Sequence, residues 1–354
     1  MKLISNRCKE MLTLVTLLLT LLLPMTIGQG VVANAQTVGT TSQSLDATLE
    51  TPTGKLFGTL LLPAGKPPFR VVLIIAGSGM TDRDGNTVGL KARSDTLRLL
   101  AEGLARGGIG SLRYDKRSVA KSEAARLATN LFETQVDDAA RWILWLKKDP
   151  RFNSIGVAGH SEGALIGTIA AQRGEVSAIV LLAGAGKRVD EVLVEQMEAA
   201  VQAGLLSKNM LPGFKSAVAE IRAGRTVKSR PKDLPDELWT GLFHPRAQEY
   251  LISLSKYEPL AEVSKLPKLG VRVLVVQGTT DLTGKLDHAT LLATAVGEKP
   301  VLIENMNHEL KSAPMDRKEN DKASEDPKRP LAPGLIEKVI EFLTSSLRTE
   351  ERRP

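Results

Sequence analysis

Short apolar runs and amphipathic stretches take turns along most of the chain. Continuous runs stand at residues 70–76 (RVVLIIA), 109–114, 155–158, 178–182 (AIVLL), 271–277 (VRVLVVQ) and 301–303. Runs without polar alternation predict strands buried on both faces. Helical periodicity falls between them, at 94–106, 132–147, 164–172 and 286–296, with a closing helix over 333–347. Ahead of this series, LDATLE and KLFGTLLLP flank Thr51-Pro52-Thr53-Gly54, two strands around a turn. Alternating strands and helices of this kind imply a mostly parallel, doubly wound α/β sheet. The rhythm breaks from 187 to 265, where helical patterns and several prolines occur without a buried strand. That block reads as a helical cap inserted into the sheet domain, and no internal repeat is visible.

The extreme N-terminus has a different pattern. Lys2, Arg7 and Lys9 precede an apolar run from Met11 to Leu23, and Ala33-Asn34-Ala35 follows. A basic segment, a run too short to span a bilayer and an A-x-A site form a secretory signal peptide. Residues 1–35 are expected to be removed before Gln36, giving an exported protein, periplasmic or extracellular, with no stable membrane insertion. The single cysteine, Cys8, leaves with the leader, so disulfides, a thiol nucleophile and Cys-based metal sites are excluded from the mature chain. Its loss with Lys2, Arg7, Lys9 and Glu10 lowers the net charge from +7 to +5. The remaining basic residues form only short groups without interleaved aromatics, which argues for a solvated face and against nucleic acid as a partner. The composition, 42% apolar and 25% charged, is that of an ordinary globular protein. Oligomeric state is not legible.

Chemistry enters at Gly159-His160-Ser161-Glu162-Gly163, a G-x-S-x-G sequence between a predicted buried strand and a predicted helix. A sharp turn there exposes the serine Oγ above the sheet, and the glycines permit the strained backbone. A serine nucleophile needs a base, and the base needs an orienting acid. Of four histidines, His160 adjoins the serine and reads as a packed elbow residue, His244 lies in the cap, and His288 lies in a helix. His308 follows the last strand at the carboxyl edge of the sheet, where the serine also sits, and is the expected base. Asp281, in the loop after 271–277, is the expected acid. Asp287, six residues on, is the rival and reads instead as a helix N-cap. Gly77-Ser78-Gly79 fails as a dinucleotide fingerprint because position 82 is aspartate. Asp82-Arg83-Asp84-Gly85-Asn86 lacks the glycine position and closing glutamate of a calcium loop; Asp82 and Asp84 are expected to hold the loop through backbone hydrogen bonds. No His/Glu cluster has zinc spacing, so neither metal nor cofactor is expected.

The pieces IIAGSGMTDRDGN (74–86), LRYDKRSVAKS (112–122), GVAGHSEGA (156–164), VVQGTTDLTG (275–284) and NMNHELK (305–311) resemble, in order, bacterial α/β-hydrolases of the esterase/lysophospholipase-like and prolyl-aminopeptidase-like branch. The resemblance covers about residues 45–347. It implies the α/β-hydrolase fold and a Ser161, Asp281, His308 triad that cleaves carboxylic esters through an acyl-enzyme. It also implies an oxyanion hole from the N–H groups of Ser78 and Glu162, with Met80 as the alternative to Ser78. The family's Y-D-x-R-G-x-G-x-S loop has Ser118 and Ala120 here in place of both glycines. A small-molecule ester is the expected partner. A serine aminopeptidase or other amide hydrolase on the same triad is the first alternative, and a non-catalytic ligand-binding protein the second. In the cap, Leu238, Trp239, Leu242 and Phe243 either face an acyl chain or, the favoured reading, form the cap's own core.

Overall fold

The computed structural model describes residues 41–125 and 131–347; the leader assigned to residues 1–35 lies outside them. β1 (Gln43–Thr51) and β2 (Gly54–Leu62) form the expected antiparallel hairpin, with Thr51 opposite Gly54. The buried strands follow: β3 (Phe69–Ile75), β4 (Ile109–Tyr114), β5 (Phe152–His160), β6 (Ala178–Leu182), β7 (Arg272–Gly278) and β8 (Val301–Ile303). The eight strands lie in the order β1-β2-β4-β3-β5-β6-β7-β8, antiparallel at β1, β2 and β4 and parallel from β4 onward. From β3 the chain first steps to one side, to β4, and then to the other, to β5. That reversal opens a crevice at the carboxyl ends of β3 and β5.

Helices cover both faces. α1 (Thr96–Arg106) and the closing helix on one face bury Leu97, Leu100 and Leu104 with Leu335, Val339 and Leu343 against Val72 and Ile74. α2 (Phe132–Lys147) and α3 (Glu162–Arg173) lie on the other, with Phe132, Trp142 and Ile166 against Leu73 and Ile75. Burying one such side chain contributes about 1.5–3 kcal/mol, and two continuous faces of them hold a chain that the sequence gives no disulfide. β5 runs past the apolar stretch 155–158 at both ends. Asn153 and Ser154 break the apolar pattern, yet Ser154 pairs with Arg70 and the strand continues to His160 opposite Leu182.

Between β6 and β7 stand α4 (Val189–Gln202), α5 (Leu211–Arg222), α6 (Asp236–Leu242), α7 (Pro245–Leu254) and α8 (Pro259–Val263). They enclose a separate apolar cluster that includes Leu193, Met197, Phe214, Leu238, Leu242 and Phe243, with Trp239 packed against it. That aromatic group is thus interior to the helical block. α9 (Leu286–Ala295) follows β7. Its N-cap is Lys285, and Asp287 sits in the first turn, exposed and paired with Lys187; the N-cap expected at Asp287 is therefore displaced by two residues. The polar segment after β8, which carries no apolar periodicity, contains α10 (Arg317–Ser324), and α11 (Leu335–Ser346) closes the chain. Among the described residues no helix is long and apolar enough to cross a membrane.

Candidate active site

Ser161 stands between the last residue of β5 and the first of α3, with φ 54° and ψ −121°. A non-glycine residue held there is strained by about 1–3 kcal/mol, and its surroundings enforce the conformation. A Cβ on Gly159 would lie 2.2 Å from the carbonyl oxygen of Gly163, and one on Gly163 would lie 2.4 Å from that of Ile75. Only bare backbone lets strand and helix approach so closely. The Ser161 N–H donates to the Leu182 carbonyl at 2.8 Å, tying the turn to β6.

His308 lies in the loop after β8. Its Nε2 is 3.1 Å from Ser161 Oγ, and its Nδ1 is 2.8 Å from Asp281 Oδ2. The Asp281 side chain is fully buried. Its Oδ1 accepts from the backbone N–H groups of Thr283 and Gly284, both at 2.7 Å, and its Oδ2 also accepts from Gln277 Nε2 at 2.8 Å. Burial alone would raise this carboxyl; the His308 charge and these donors outweigh it and hold it below the ordinary value. For His308 the balance is reversed. Burial alone would lower the imidazole, and Asp281 lifts it above the usual histidine value. An ionised Asp281 keeps the proton on Nδ1, which leaves Nε2 as an acceptor toward the serine.

The His308 loop is fastened from several sides. Its backbone carbonyl accepts from His160 Nε2 at 2.8 Å. Burial pushes His160 down in pKa, so the neutral ring donates with Nε2–H and serves as a packed support. Asn307 Nδ2 donates to Ser324 Oγ at 3.0 Å, and Asn320 Nδ2 donates to the carbonyls of Thr280 and Pro314. The polar helix α10 thereby links the loop of His308 to that of Asp281. The buried Lys311 ammonium donates to the Ser94 and Asp326 carbonyls.

The loop after β3 runs beneath the nucleophile. A Cβ on Gly77 would lie 3.1 Å from Ser161 Cβ, so the Gly77–Ser78 peptide flanks the serine, while the Met80 carbonyl is used by Val88 N–H at 2.9 Å. Glu162 opens α3, where helix geometry gives its N–H no intrahelical partner. Its side chain accepts from Tyr250 Oη of α7 at 2.9 Å and stands 3.8 Å from Lys116 Nζ. Lys116 donates in turn to the Gly77 carbonyl. Asp82 Oδ1 accepts from the N–H groups of Asp84 and Asn86, the backbone hydrogen bonds expected of it, whereas the Asp84 carboxylate pairs instead with the Arg113 side chain. Ser118 and Ala120, where the resemblance places glycines, have φ 61° and 45°. The left-handed turns persist without glycine, each at a cost of about 1–2 kcal/mol.

Sequence reading passed over Gln277, Lys116, Tyr250 and the Asn307–Asn320 pair, because their hydrogen-bond partners are remote in sequence or, for Gln277 with Asp281, are brought together by a tight turn that no local pattern announces. It also missed one cluster. Ligand atoms of Glu195, Asp287 and His288 lie within 4.8 Å of one another. Lys187 bridges Glu195 and Asp287, and Lys285 also pairs with Glu195, so cations of the chain itself already neutralise these carboxylates. The group ties α4 to α9.

Comparison with known proteins agrees with this architecture. A family described as Serine aminopeptidase, S33, of the hydrolases, matches residues 88–313, which include Ser161, Asp281 and His308 but begin after Ser78. Esterase EstD of Thermotoga maritima is 28% identical over 271 residues, 73% of this chain and 60% of that protein; the chain thus spans 60% of the length of this curated relative. Among solved structures, the Pyrococcus furiosus esterase PF2001 is similar with a TM-score of 0.55 at 16% identity, over 90% of this chain and 96% of that one. Est1E of Butyrivibrio proteoclasticus, bound to ferulic acid, is similar with a TM-score of 0.53 at 17% identity, over 85% and 98%. Both likenesses show the α/β-hydrolase fold. With its profile matched over well over half its length, the chain belongs to the α/β-hydrolase family described as Serine aminopeptidase, S33.

Proposed function

We propose that the protein is a serine hydrolase of carboxylic esters of modest size, working through an acyl-enzyme. The observation that carries this reading is the continuous series from Asp281 Oδ2 through His308 to Ser161 Oγ, at 2.8 and 3.1 Å. Ser161 Oγ attacks the ester carbonyl while His308 Nε2 takes its proton. The imidazolium then protonates the departing alkoxide, which leaves as alcohol. Water, deprotonated by the same nitrogen, attacks the acyl-enzyme, and the carboxylic acid departs as Ser161 recovers its proton. The N–H groups of Ser78 and Glu162 face the tetrahedral oxyanion in this reading, and the positive end of the α3 dipole adds to them.

Esters are favoured over peptides by the use already made of Glu162. A peptidase acting on free N-termini needs an anion for the substrate amine, and this carboxylate is engaged by Tyr250 and Lys116. EstD and PF2001 are named as esterases, in line with this reading. The family description as an aminopeptidase keeps amides as the second reading. The leader supports export, so the natural ester would be met outside the cytoplasm.

Hydrolysis of p-nitrophenyl acetate, butyrate, octanoate and palmitate, beside an amino-acid p-nitroanilide, tests this. Ester turnover is expected, and Ser161→Ala should lower kcat by about 10⁴–10⁶. Turnover of the anilide alone would move the protein to the peptidases. Turnover that persists in Ser161→Ala would contradict the proposal by placing the nucleophile elsewhere, and silence on every substrate would contradict it and favour a binding protein.

A further inference from the structure

Among the described residues, Lys116 is a buried cation placed between the two loops that flank the proposed carbonyl site, and the reaction as written above does not use it. Its side chain is only 5% exposed. The ammonium donates to the Gly77 carbonyl, reaches that of Gly79 at 3.4 Å and stands 3.8 Å from Glu162 Oε1. The Gly77 C=O and the Ser78 N–H belong to one planar trans peptide, in which they point in opposite directions. A donor that fixes the carbonyl therefore also fixes the aim of the N–H. Glu162 carries the other N–H, and the same ammonium, with Tyr250, holds its side chain.

We propose that Lys116 is the positioning residue of the oxyanion hole, setting the Ser78 N–H through the Gly77 carbonyl and bracing the start of α3 through Glu162. The assignment rests on the serine-hydrolase reading above. Its location supports more than packing. A buried ammonium is costly to desolvate, burial pulls its pKa down against the pull of Glu162, and a lysine that only filled space could be replaced by an apolar side chain. Each of its three partners is a backbone carbonyl or carboxylate within one residue of a proposed oxyanion donor. Oxyanion donors act chiefly in the transition state, so misaiming one should be read in kcat and in affinity for a tetrahedral adduct, with substrate binding little changed.

The experiment compares the wild type, Lys116→Met and Lys116→Gln for kcat and KM on p-nitrophenyl butyrate, for thermal midpoint, and for inhibition by an alkyl trifluoromethyl ketone. Ser161 adds to that ketone to give a hemiketal whose oxyanion occupies the hole. In Lys116→Met, kcat should fall about 10–100-fold, KM should change by less than about threefold, and the ketone inhibition constant should rise in step with the loss in kcat. The pH midpoint of kcat/KM should stay in place, since His308 and Asp281 are untouched. If the methionine variant does not fold, Lys116→Gln decides, because its donor stops one atom short of the lysine nitrogen. A folded variant that keeps kcat within about threefold, or that loses activity while its ketone affinity is unchanged, would overturn the assignment. Absence of Ser161-dependent turnover in the wild type would overturn the parent reading, a failure visible before any Lys116 variant is compared.

Discussion

Asp281→Asn is expected to lower kcat by about 10⁴, the loss that follows when the orienting acid of such a triad can no longer select the tautomer. The geometry explains why the isosteric change should be so damaging. All four contacts to the carboxylate are donors: two backbone N–H groups on Oδ1, and Gln277 Nε2 with His308 Nδ1 on Oδ2. An asparagine offers one oxygen, and the paired N–H groups of Thr283 and Gly284 would claim it. Its NH₂ would then face His308 Nδ1, forcing the imidazole proton onto Nε2, where it blocks proton transfer from Ser161. The acid limb of kcat/KM supplies a second readout. Asp281 holds the His308 pKa above the ordinary value against burial, so wild-type activity should be lost as pH falls through a midpoint above about 6.5. With the carboxylate charge removed, burial dominates and the midpoint of the residual activity should move to lower pH. Steady-state rates from pH 5 to 9 on p-nitrophenyl butyrate measure both. A variant with a tenth or more of wild-type kcat would remove Asp281 from the role.

The second large effect is structural. Gly159→Ala should cost at least about 3–5 kcal/mol, the range reserved for changes the backbone cannot absorb. The added methyl would stand 2.2 Å from the Gly163 carbonyl oxygen and 2.7 Å from Ala164 Cα. Both atoms belong to the first turn of α3, which is itself wedged on Ile75 and tied to β6 through Ser161. No flexible side chain can give way, so α3 must lift and carry the strained serine with it. Urea denaturation should show the midpoint lowered sharply or the protein insoluble, with ester turnover lost together with the fold. A variant with the wild-type midpoint would mean that the elbow is looser than these distances require.

The parts of the molecule that rest on local pattern were readable from the chain. Uninterrupted apolar runs marked the parallel strands, and a glycine-flanked serine between a strand and a helix marked the elbow. The carboxyl-edge rule drew His308 and Asp281 to the same end of the sheet. Long-range polar contacts left no such pattern. α10 reads RKENDKAS, without an apolar face, yet Asp316 caps it by accepting from the Glu319 N–H, and buried Asn320 pins it; the Asp316-Arg317-Lys318-Glu319 capping sequence was its one available signal. Lys116 and Gln277 stood inside quoted motifs with no visible task, because their partners, Gly77, Glu162 and Asp281, become neighbours through a crossover or the tight turn after β7. Ser118 and Ala120 show the converse. Neither position carries a glycine, but Arg117 paired with Asp138 and Asp115 with Arg83 hold the loop firmly enough to keep two L-residues at positive φ.

The central claim is that Ser161 is an activated nucleophile. It is tested most directly by reacting the protein with a fluorophosphonate and locating the adduct by mass spectrometry of the intact chain and its peptides. One adduct per chain is expected, on the peptide containing Ser161, absent from Ser161→Ala and formed far more slowly in His308→Ala. An unmodified protein, or an adduct on another residue, would contradict the claim.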